Sequence, residues 1–114
     1  AVIKEIYDKY SYTLDTHTAV AVKVYEDYKK ATGDNTKTVI ASTASPYKFS
    51  TAVLEAIEGK VSDMDEFDKV ERLHEVSGYD VPKSLAELKN KPIRFTGAIG
   101  RDEMKDFVLK SLSL

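Results

Sequence analysis

TVIASTASPYKF, residues 38–49, carries three signals in twelve residues. Thr38-Val39-Ile40-Ala41-Ser42 is short, β-branched and nearly continuous in apolar character, a pattern that predicts a strand buried on both faces of a parallel sheet. Ser42-Thr43-Ala44-Ser45 closes it with small polar residues. Pro46 then stands at the first position of a helix capped by Ser45, where a missing N–H costs nothing. That helix is expected to carry Phe49, Val53, Leu54 and Ile57 inward and to stop at Gly59.

Upstream, Ile3, Ile6, Tyr7 and Tyr10 recur at helical spacing over residues 2–10, and Ser11-Tyr12-Thr13-Leu14 favours an extended backbone. Asp15-Thr16-His17-Thr18 is a capping cluster. A helix over about 18–31 follows, with Ala21, Val24, Tyr25, Tyr28 and Ala31 as its apolar stripe and Gly33 as its stop. Downstream, Ser62 is read as the cap of a helix whose stripe is Met64, Phe67, Val70, Leu73 and Val76, ending at Gly78. A short helix over 82–88, a strand over 93–96 and a terminal helix over 101–112 complete the chain. The terminal helix is expected to bury Met104, Phe107, Val108 and Leu112.

This alternation predicts the α/β class, with helices packed on a small, mainly parallel sheet. Two or three strands would leave open, apolar edges, which natural domains avoid. The chain also begins at Ala1, and Val2-Ile3-Lys4-Glu5-Ile6-Tyr7 reads as the middle of an element. Residues 1–114 are therefore expected to be one unit, a piece of something longer.

Composition narrows the function. Among 114 residues, 17 are Lys or Arg and 19 are Asp or Glu, a net charge of −2 that argues against a nucleic-acid platform. No run approaches the roughly 20 apolar residues of a membrane span. Cysteine is absent, which excludes disulfides and thiolate metal sites and suits a reducing, cytoplasmic setting.

Two clusters could carry chemistry. Ligands of parallel sheets bind beyond the strands' carboxyl ends, which points to the hydroxyls of Ser42, Thr43 and Ser45 with Lys48 one turn further on. Alternatively, Ser45 only caps and Lys48 only faces water. Asp15-Thr16-His17-Thr18 could hold a ligand or a general acid/base histidine, or be a helix cap beside a partly exposed His17. His74 reads as a surface residue, and Asp63, Asp65, Glu66 and Asp68 complement a helix dipole and lack calcium-loop spacing. No phosphate-cradling glycine loop and no nucleophile elbow is present.

The pair DTHTAV (15–20) and TVIASTASPYKF (38–49), in this order and separation, resembles the C-terminal part of threonine synthase. The bacterial and fungal class of that family carries segments similar to PHTAV and STAHPAKF, and the resemblance extends over most of residues 10–114. It implies a fragment of the tryptophan-synthase-β-like (PLP fold type II) architecture. It also implies the conversion of O-phosphohomoserine and water to threonine and phosphate, with pyridoxal phosphate as cofactor. Thr43 matches the hydroxyl that faces the pyridine nitrogen, with Ser42 as second choice. Asp15, His17 and Thr18 match the loop beside the cofactor ring, and Lys48 could hold the substrate phosphate. Ser45 and Tyr47 depart from the family's His and Ala. The Schiff-base lysine and the phosphate loop match nothing here, so no catalytic residue is assigned to this chain. Both are expected in an N-terminal remainder of the same enzyme, its implied partner. The alternative is a stand-alone, non-catalytic α/β module that binds a small anion or a protein.

Overall fold

The computed structural model describes residues 2–113. Six α-helices follow one another: α1 (Val2–Tyr10), α2 (Thr16–Thr32), α3 (Ser50–Glu58), α4 (Glu66–Ser77), α5 (Lys83–Ala86) and α6 (Met104–Ser111). Short 3-10 turns occupy Pro46–Phe49, Glu87–Asn90 and Arg101–Glu103.

Local chemistry accounts for most of these limits. Asp15 caps α2 by accepting from the amides of His17 and Thr18, and Asp65 caps α4 through the amides of Phe67 and Asp68. Gly33 and Gly78 end the same two helices at φ of 72° and 70°, a left-handed conformation that costs glycine least. Ser45 caps the Pro46–Phe49 turn with Pro46 in its first position, as the sequence predicts. At α4 the cap is Asp65, three residues beyond the expected Ser62.

The core lies where α3 packs between α1 and α4. Val53, Leu54 and Leu73 are fully enclosed, with Ile3, Leu14, Ala19, Ile57, Val61 and Val70 around them. Arg72 of α4 braces this packing, its Nε 3.0 Å from Glu58 Oε2 on α3 and its Nη1 2.8 Å from Glu75 Oε2. Three tyrosines fasten the end of α4 and the loop after it. Tyr7 Oη donates to the Val76 carbonyl at 3.0 Å, Tyr47 Oη donates to the Tyr79 carbonyl, and Tyr79 Oη accepts from the Thr13 amide at 3.3 Å. Tyr47, one of the two departures from the family pattern, is thus a buried strut between the 46–49 turn and that loop.

The expected sheet is not there. The described residues contain no strand, so the α/β class with helices on a parallel sheet gives way to an all-helical arrangement. A strand needs a neighbouring edge to complete its hydrogen bonds. Residues 11–14, 38–42 and 93–96 meet none, and each runs as irregular backbone. Val39 is 95% exposed, Ile93 82% and Phe95 84%, so the apolar runs that suggested buried strands are uncovered. Two helical stripes are corrected as well. Met104, Phe107, Val108 and Leu112 are exposed on and beside α6, and α2 turns Thr18 and Ala19 inward while Val24 and Tyr28 face outward.

Candidate functional site

The N-terminus of α2 gathers the first cluster around one carboxylate. Asp15 is 1% exposed and spends both oxygens. Oδ1 accepts from the amides of His17 at 2.8 Å and Thr18 at 3.1 Å, and Oδ2 accepts from the Thr18 hydroxyl. Burial pushes this carboxyl upward. The bonds from the Thr18 hydroxyl, the two amides and Ser42 outweigh it, so Asp15 lies below the usual carboxylate range.

Ser42 links this cluster to the second one. Its Oγ stands 3.3 Å from Asp15 Oδ2 and 3.2 Å from Thr18 Oγ1, across 27 and 24 residues of sequence. The two segments that stood out in the sequence therefore meet in space. Thr43 follows directly on the tethered Ser42. It is exposed, and its hydroxyl makes no hydrogen bond among the described residues. His17 lies on the outer side, its Nδ1 3.7 Å from Asp15 Oδ1 and its ring centred 5.3 Å from that of Phe49. Lys48 is exposed, with Nζ 5.5 Å from the centre of the Phe49 ring.

Of the six candidates, Asp15, Thr18 and Ser42 form one hydrogen-bonded unit, with His17 at its edge and Thr43 beside it. Lys48 joins only through Phe49. The sequence assigned Phe49 to the core. In the structure its half-buried ring lies between the surroundings of His17 and Lys48, a role that apolar periodicity alone does not signal. A groove of about 460 Å³ opens beyond it, with Lys48, Phe49, Thr51, Phe67 and Leu85 among its walls. No cluster of metal-ligating side chains occurs among the described residues.

This helical kernel, with its hydroxyl-lined helix end, falls within a known class. The family model for the C-terminal part of threonine synthase matches residues 18–108. The chain belongs to that family. It is similar to the threonine synthase of Methylobacillus glycogenes, with 38% identity over 58 residues, which cover 51% of this chain and 12% of that enzyme. No solved structure matches. No helix among the described residues is long and apolar enough to cross a membrane.

The donor set suits one end of pyridoxal phosphate. A free, neutral hydroxyl at Thr43 can donate to a pyridine nitrogen without charging it. The phosphate end of the cofactor finds no glycine-rich cradle in this sequence.

Proposed function

We propose that this chain is the C-terminal portion of a threonine synthase that converts O-phosphohomoserine and water to threonine and phosphate using pyridoxal phosphate. The observation that carries the proposal is the meeting of Asp15 and Thr18 with Ser42, inside a chain of the threonine synthase C-terminal family. When bound, pyridoxal phosphate supplies an electron sink for carbanion chemistry. The chain's own residues provide one wall of the site. Thr43 pairs with the pyridine nitrogen, and Ser42 supports it. His17 and Thr18 lie along the ring and the substrate, and Lys48 offers a cation to the substrate phosphate. The lysine that carries the cofactor and the cradle for the cofactor phosphate come from the remainder of the enzyme. That remainder is also the partner for the apolar faces this chain leaves exposed on α2 and α6. A reducing, cytoplasmic location accords with the absence of cysteine.

The test is Thr43→Ala in the complete enzyme. One hydrogen bond to a charged or charge-developing group is worth about 1.5–3 kcal/mol. Phosphate release from O-phosphohomoserine should therefore fall by more than ~10-fold. An unchanged rate removes Thr43 from the site.

A further inference from the structure

We infer that Asp15 is a positioning residue for the cofactor wall: its carboxylate, acting through Ser42, sets where Thr43 stands relative to the α2 helix. This rests on the proposed role of Thr43, but it assigns Asp15 a different task from touching ring or substrate.

The geometry leaves Asp15 nothing to offer a ligand. It is 1% exposed, and both oxygens are engaged by groups of this chain. Ser42 is the partner that makes the arrangement more than a cap. A cap needs only the amides of His17 and Thr18, which Asp15 already holds. The Ser42 hydroxyl reaches the same carboxylate from 27 residues away. Residues 38–45 lack regular secondary structure of their own. Ser42 has one proton to donate and Thr18 one, and Asp15 Oδ2 lies within reach of both. The carboxylate thus joins a rigid helix end to irregular backbone one residue before Thr43. A hydroxyl displaced by about an ångström loses much of its effect on a bound group.

The test uses the complete enzyme and compares Asp15→Asn, Ser42→Ala, the double variant and Ser42→Thr. Asparagine still caps a helix, and Ser42→Ala leaves the cap untouched, so folding is guarded twice. The first readout is the dissociation constant of pyridoxal phosphate, titrated by absorbance into enzyme stripped of cofactor. Both single variants should weaken binding by ~5-fold or more, and Ser42→Ala should do so with a melting temperature near that of the parent. The double variant should be no worse than Asp15→Asn, and Ser42→Thr should bind as the parent does. Fully additive effects would overturn the inference, because the two residues would then act separately. Unchanged affinity in both single variants would overturn it too. So would a loss of melting temperature with affinity intact, which marks a merely structural role. Failure of the underlying proposal reads out elsewhere, as unchanged turnover in Thr43→Ala.

Discussion

At the scale of single residues, the energetics centre on Asp15 and Tyr47. The Asp15 carboxyl is lower than usual because donated hydrogen bonds outweigh its burial. A depressed folded-state value contributes stability above the unfolded pKa and loses it as pH falls through the folded one. Asp15→Ala should therefore cost roughly 1–2 kcal/mol at pH 7 in urea unfolding, the usual range for a lost N-cap. The cost should shrink as pH falls below about 4, where the unfolded chain takes up the proton before the folded parent does. A cost equal above and below that pH would mean that the charge on Asp15 contributes nothing. Tyr47 gives a second test. Tyr47→Phe keeps the buried ring and deletes only the donor to the Tyr79 carbonyl, so it should destabilise by about 1 kcal/mol. A neutral effect would mean that the His74 ring, 2.7 Å from the same carbonyl, satisfies it alone. Neither the tyrosine strut nor the Ser42 tether was legible in the sequence. Their partners lie 24 to 32 residues apart, and residue type alone does not specify such pairs. The clusters themselves were legible, because capping is a matter of adjacent residues.

At the scale of elements, the same division holds for a physical reason. Helix limits depend on hydrogen bonds within a few residues, so α2, α4 and their terminal glycines could be read directly. Ser62 and Asp65 both suit a cap, and Asp65 takes it by reaching two amides at 2.7 and 2.9 Å. Strands depend on a neighbouring edge, which the β-branched runs at 38–42 and 93–96 do not have. Periodicity also says which residues of a helix share a face, but not what covers that face. α4 and α6 show this side by side. Both present apolar stripes; Leu73 on α4 is enclosed, and Phe107 on α6 is 53% exposed. Leu73→Ala should cost about 2–5 kcal/mol, as for other enclosed leucines, and Phe107→Ala should lie within ~0.5 kcal/mol of the parent. Equal losses in the two variants, measured by denaturant unfolding of this chain, would show that α6 packs on the kernel after all.

At the scale of the whole molecule, the chain is far from a closed globule. A compact chain of about this length has a radius of gyration near 13 Å. Here it is 19.2 Å, with principal extents of 59 × 33 × 25 Å. One end is uncovered throughout. Every described residue from 86 to 113 is exposed, Ile93, Phe95, Met104 and Phe107 included. α6 has eight residues, and a helix that short is marginal in water without a surface to pack on. Its amides should therefore exchange with solvent almost as fast as free peptide in this chain, while those of Val53, Leu54 and Leu73 exchange last. Under the proposed function, the apolar face of α6 rests on the remainder of the complete enzyme. Exchange in α6 should then slow by at least ~100-fold, the protection expected once its opening costs about 2.7 kcal/mol. Comparing the same peptides by hydrogen exchange in both forms separates two origins for that protection. If α6 is already slow in this chain alone, its face finds cover within these residues. If it stays fast in the complete enzyme, the arm is not part of the enzyme's packed interior, and its exposed aromatic and aliphatic side chains serve no contact with the remainder.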